Sequence, residues 1–202
     1  MMSTAAKSDK ATDVKSHILD TAQRLIAARG FSGVGLNEIL AGASVPKGSF
    51  YYYFSSKEAF GRDLLEHYFS KYLNELDALL ADEDVPARSR LAAYWRFWKD
   101  NQESEDPCGK CLAVKLGAEV SDISEDMRIA LKNGTSAIIG RLSKVIKQGL
   151  VDGSIKSTRN PYDLAETLYQ LWLGASIMTK IARNPSPFDA AMAATDQMLS
   201  GN

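Results

Sequence analysis

Cysteine is nearly missing from the chain: of 202 residues only Cys108 and Cys111 carry a thiol. That excludes a structural disulfide framework and confines any thiol chemistry to one short stretch. Histidine is as scarce, with His17 and His67 in separate segments, so no four-ligand zinc site can be assembled around the cysteine pair. No run of about 18 apolar residues occurs, and the opening "MMSTAAKSDKATD" has no apolar stretch of the signal-peptide kind. A cytoplasmic protein with no membrane partner is therefore expected. Alternating apolar and polar residues of useful length are absent too, which argues against strands. No internal repeat or low-complexity tract is found.

What is present is a chain that is 45% hydrophobic, able to bury one core or a small core joined to a larger one. Its net charge of −1 hides an asymmetry. Residues 1–62 hold eight Lys/Arg against five Asp/Glu, and residues 63–202 hold sixteen against twenty. The basic end is the better match for a polyanion.

Nearly every segment repeats at helical period. Val14, Ile18, Ala22, Leu25 and Ile26 line one face of a helix that stops at Gly30, and Leu36, Ile39, Leu40 and Ala43 line a second. Pro46 suits the start of a third, with Phe50 and Phe54 as its buried side. Lys57 opens a long amphipathic helix that ends near "ADEDVP". Further helices follow Pro86, Cys108, Ser124, Asn160-Pro161 and Ser186-Pro187. The expected fold is all-α with about nine helices, divided into a flexible lead at 1–12, a helix-turn-helix domain at 13–56, and a regulatory and dimerisation domain at 57–202.

The stretch "VPKGSFYYYFSSKEAF" raises the functional question. With Phe50 and Phe54 inward, Lys47, Gly48, Ser49, Tyr51 and Tyr52 point out and Tyr53 lies at the flank. A helix of barely two turns has no core left for three more aromatic rings. Two short helices joined by "GASVP" form a helix-turn-helix, whose second helix offers its first residues to a major groove. Gly48 lets backbone approach a phosphate, Ser49 and the phenols donate to phosphate oxygens, and Lys47 and Lys57 supply charge. The amides after Ser55 and Ser56 could hold another phosphate. Double-stranded DNA is the expected partner.

At this point the residues carry a resemblance. A first helix ending in R-G-F, followed by the K-G-(S/T)-(L/F)-Y-x-Y-F-x-S-K-E pattern across residues 47–58, resembles the N-terminal domain of TetR-family transcription regulators. The resemblance implies a homodimer, each subunit presenting one recognition helix with a ligand-sensing helical domain behind it. Lys47, Gly48, Ser49, Tyr51, Tyr52, Tyr53 and Lys57 become the DNA-contact candidates. Many relatives begin the second helix with a phosphate-binding Thr; this chain has Leu36-Asn37 there, and Asn37 joins the candidates. In the C-terminal part, "CLAVKLGAEVSDISEDMR" and "LYQLWLGASIMTKIAR" are similar to a branch of the family that senses electrophiles and oxidants through cysteine, and the matching residue is Cys111.

Read from its own spacing, "PCGKC" is not a thioredoxin-like motif, because no strand-to-helix junction surrounds it. Two readings stay open. Cys111 is either a small buried hydrophobe beside Leu112, Val114 and Leu116, or a thiol activated by the helix start and by Lys110 and Lys115. Cys108 is then a resolving partner or a bystander. Lys180, near the end of an apolar helix, is either a favourable C-terminal cation or a neighbour of the thiol. Tyr94, Trp95, Trp98, Tyr169, Trp172 and Met178 read first as core and second as the lining of a ligand pocket.

These readings converge on a dimeric transcriptional regulator, a repressor by the family's commoner habit, without catalytic residues, metal or cofactor. It would pair through its last two long helices, with apolar rows such as Leu168, Leu171, Trp172 and Ala175, and leave a palindromic operator when an electrophile or oxidant modifies Cys111. Release by reversible binding of a small molecule, with inert cysteines, is the alternative. An all-α thiol enzyme and a structural helical adaptor are the other classes considered.

Overall fold

The computed structural model describes residues 3–104 and 111–201, with side chains from residue 13 onward. Among the described residues there are nine helices and no strand: α1 Ser3–Arg29, α2 Leu36–Gly42, α3 Lys47–Tyr53, α4 Lys57–Leu80, α5 Ala87–Glu103, α6 Leu112–Ile123, α7 Glu125–Val151, α8 Pro161–Ala182 and α9 Ser186–Ser200. The all-α expectation holds. Helix α1 starts at Ser3 rather than near residue 13, so the separate lead expected at 1–12 is helical backbone from residue 3. Its Ala and Lys residues favour helix, and neither Gly nor Pro interrupts before Gly30.

The chain forms two compact units. The first comprises Met1–Ser70 and Lys115–Lys132, and so extends beyond the 13–56 segment expected for the helix-turn-helix domain. Ile18, Ala22, Ile26, Ile39, Leu40, Phe50, Phe54, Phe60 and Leu64 are all buried in it. Helix α1 ends where expected, with Gly30 in the left-handed region at φ 86°. The turn between α2 and α3 closes by a paired C-terminal cap: the Val45 amide donates to the Leu40 carbonyl (3.1 Å) and the Ser44 amide to that of Ala41 (3.1 Å). Ser44 takes the left-handed conformation (φ 54°) where glycine is usual. Pro46 then caps α3 with φ −69°, as its fixed ring geometry allows.

The second unit comprises Lys71–Val114 and Asn133–Asn202. Two of its helix starts are capped by side chains, one from a distant loop and one from the adjacent residue. The Ala87 and Arg88 amides of α5 donate to the Asp152 carboxylate (3.0 Å) and the Ser154 hydroxyl (3.2 Å), and Asn160 accepts from the first amides of α8 (2.8 and 3.4 Å). The core is an aromatic stack. Trp95 lies on Trp172 (4.8 Å, 13°), Trp172 on Phe188 (5.8 Å), and Trp98 meets Tyr169 edge to face (5.6 Å). The indole N–H groups of Trp98 and Trp172 donate to Ser176 (2.9 Å) and Thr195 (3.0 Å).

Candidate nucleic-acid interface and thiol site

Helix α3 is a platform with one anchored side. Phe50 and Phe54 are each 1% exposed and meet each other and Phe60 at 4.9–5.3 Å. With that side fixed, helical geometry turns Tyr51 (58% exposed) and Tyr52 (77% exposed) outward. Lys47 and Gly48 at its start are exposed, while Ser49 and Tyr53 are half-buried. Tyr52 and Tyr53 meet edge to face at 4.9 Å, so the outer phenols brace one another. Asn37 is exposed on α2. Lys57 is exposed at the start of α4, its ammonium over the Phe31 ring at 5.1 Å. The structure thus brings the exposed candidates together on α3 and its two flanks.

The start of α4 is more self-contained than its sequence implies. The Ser56 hydroxyl accepts from the Ala59 amide (3.0 Å), and Glu58 in the same turn is held below the usual carboxylate range, first by its own backbone amide and then by Ser56. A phosphate arriving there meets amides that already have acceptors.

Four hydrogen bonds that the sequence did not announce steady this platform. His17 Nε2 donates to the Ala43 carbonyl (3.1 Å), one residue before Ser44. Glu119 of α6 accepts from the Phe31 (3.1 Å) and Ser32 (2.7 Å) amides, and Lys115, one turn earlier, donates to the Ala28 carbonyl (3.1 Å). Burial pushes the Glu119 carboxyl up, but the Ser32 and Phe31 donors and Lys115 outweigh it and hold it below its ordinary value. Gly30 is required here twice over, by its φ and because a Cβ would stand 2.9 Å from Glu119 Oε2.

In the second unit, Cys111 lies immediately before α6, its carbonyl accepting from the Val114 amide (3.1 Å). It is 3% exposed. Its surroundings are phenolic. Tyr72 and Tyr94 share a hydrogen bond (3.1 Å), and Tyr169 lies against the thiol. All three phenols are pushed above their ordinary values, by burial first and also by the neighbouring Cys111. The cation expected from Lys115 is engaged by Ala28 instead, and Lys110 and Cys108 lie outside the described residues. Lys180 is in the last turn of α8 with its side chain at the surface. Tyr72 escaped the sequence reading because nothing in its spacing separates a packing tyrosine from one beside a thiol.

Of the pocket candidates, Tyr94, Trp95, Trp98, Tyr169 and Trp172 are buried and pack on one another, whereas Met178 is 50% exposed. An open cleft bordered by Arg90, Lys144, Lys147 and Val151 draws its lining from elsewhere in the same unit.

An anchored second helix presenting hydroxyls and positive charge, after a tight turn and a supporting helix, defines a helix-turn-helix DNA-binding protein. The comparisons specify which kind. Residues 18–64 match the family of bacterial regulatory proteins, tetR family, and residues 87–195 match the tetracyclin repressor-like C-terminal domain. The chain belongs to the TetR family. It is similar to the HTH-type transcriptional repressor NemR of Escherichia coli K12, 39% identical over 93% of this chain and 94% of that one. It is also similar to the HTH-type transcriptional repressor DhaR of a Mycobacterium species (strain GP1), 34% identical over 88% of both. The crystal structure of the reduced form of E. coli NemR superimposes with a TM-score of 0.88 at 40% identity, covering 94% of this chain and 98% of the other.

Proposed function

We propose that this chain is a homodimeric, cytoplasmic transcriptional repressor that leaves a palindromic operator when Cys111 is covalently modified by an electrophile or oxidant. The DNA-binding half draws on one observation above all: Tyr51 and Tyr52 remain exposed on a helix whose phenylalanines are fully buried. Lys47, Gly48, Ser49 and Tyr53 complete the reading head, with Lys57 and Asn37 at its flanks. Two such heads related by a twofold axis would meet successive major grooves about 34 Å apart.

The thiol half draws on the position of Cys111 at the start of α6, the helix whose Glu119 and Lys115 hold the end of α1. An added group on a buried sulfur cannot be accommodated without repacking, because interiors are close-packed. A hundredfold loss of operator affinity needs only about 2.7 kcal/mol of differential stabilisation. Cys108 joins as a resolving thiol if the product is a disulfide, and Lys180 is the candidate cation for the modified state.

The burial of Cys111 favours a second reading, in which a reversible ligand among the aromatic residues triggers release and the thiol is inert. Operator binding by the Cys111→Ser variant separates the two. Electrophile treatment should release the wild-type dimer and leave the variant bound; equal release of both rejects the thiol reading.

A further inference from the structure

Tyr169 is 2% exposed, and among the described residues its hydroxyl completes no hydrogen bond of good geometry. A buried hydroxyl left in that condition is destabilising, and such groups in native proteins call for an explanation. The other two phenols of the cluster differ, since Tyr72 and Tyr94 are hydrogen-bonded to each other at 3.1 Å. The Tyr169 hydroxyl therefore has no oxygen or nitrogen partner among the described residues and lies beside the Cys111 sulfur, a weak acceptor that an entering oxygen can replace. Its ring is held edge to face by Trp98 at 5.6 Å on the packed side of α8, so the hydroxyl is set in place before anything arrives. Burial, then Cys111, keeps the phenol protonated far above neutral pH, which makes it a donor to whatever oxygen enters.

We propose that the Tyr169 hydroxyl receives the carbonyl oxygen of a small α,β-unsaturated aldehyde or ketone while Cys111 adds to it, making Tyr169 a determinant of which electrophiles the thiol site accepts. The inference rests on Cys111 being the modified residue. In the addition, the sulfur forms a bond to the β carbon, the carbon–carbon π bond breaks, and the electron pair moves toward the carbonyl oxygen. Negative charge growing on an oxygen in a buried, largely apolar site is expensive unless a donor is already aimed at it. Tyr169 is that donor. The proton given up by the thiol ends on the α carbon, the phenol emerges unchanged, and neither oxidant nor reductant is consumed.

The test is the rate of Cys111 modification in the full-length dimer by two probes, methyl vinyl ketone, which develops charge on oxygen, and methyl iodide, which carries no oxygen. Trypsin cleaves after Lys110, so the two thiols fall on separate peptides and each is followed by mass. Tyr169→Phe should slow methyl vinyl ketone addition at Cys111 by at least about tenfold and leave the methyl iodide rate unchanged. Equal slowing of both probes overturns the proposal, because the hydroxyl would then act on the sulfur rather than on the electrophile. No change with either probe also overturns it while leaving Cys111 as the modified residue. Absence of any Cys111 adduct in the wild-type chain rejects both this inference and the thiol reading. A check independent of any variant compares the wild-type preference for methyl vinyl ketone over methyl iodide with that of free N-acetylcysteine, which the native site should exceed; a preference equal to that of the free thiol overturns the proposal.

Discussion

Neighbouring residues on α3 divide two tasks by direction alone. Phe50 is 1% exposed and contacts Tyr51, Phe54 and Phe60, whereas Tyr52, two residues on, is 77% exposed. Removing the Phe50 ring should cost about 3–5 kcal/mol, a large share of the stability of any domain. Tyr52→Ala should leave thermal unfolding unchanged and weaken operator binding. Measuring the melting temperature and operator affinity of both variants checks this division, and a destabilised Tyr52→Ala protein would contradict it. The division was legible in the sequence because a four-residue spacing of two phenylalanines dictates one buried face on any short helix. The environment of Cys111 was not legible. Its neighbours Tyr72, Tyr94 and Tyr169 come from three different helices, and no local pattern reports on contacts so distant in sequence.

At the scale of elements, α6 matters for what two of its residues hold. Glu119 and Lys115, four apart and on one face, grip the Phe31 and Ser32 amides and the Ala28 carbonyl at the end of α1. Because the folded-state pKa of Glu119 is lowered, its stabilisation is complete above the unfolded value near 4.3 and fades as pH falls through the folded value. Glu119→Gln should therefore lower stability by about 1 kcal/mol at neutral pH, the solvent-discounted worth of charge-assisted hydrogen bonds. The gap between wild type and variant should narrow below about pH 4. Chemical denaturation of both proteins at pH 7 and in the acid range measures it, and a gap that is independent of pH would contradict it. Helix ends, by contrast, were readable residue by residue. Gly30, Pro46, Pro86 and Asn160 each sit where the chain stops or starts a helix, since capping chemistry is local.

At the scale of the whole molecule, the apolar row expected to meet a second subunit is partly used within the chain. Leu168, Trp172 and Ala175 are buried in the second unit, Trp172 against Trp95 and Phe188. Alternation round the helix leaves Ile177 (48% exposed) and Ile181 (69%), one turn apart, on the outer side of α8. Gly174 precedes them with open space where a side chain would be, which lets another helix approach closely. Replacing Ile177 and Ile181 together by Asp should convert the proposed dimer to a folded monomer with weakened operator binding, because half-site recognition would lose its second arm. Sedimentation, helical circular dichroism and operator titration check the three parts of that outcome. An intact dimer would place the interface elsewhere.

By itself the sequence determined the all-helical class, the boundaries of most helices and the outward set on α3, for each follows from spacings of three or four residues and from caps that act within one turn. Only the tertiary structure decided which of several apolar rows α8 turns inward, which carboxylate secures the end of α1, and which phenols surround Cys111. Those outcomes depend on residues tens of positions apart competing for the same buried volume, and close packing, rather than any local preference, selects among them.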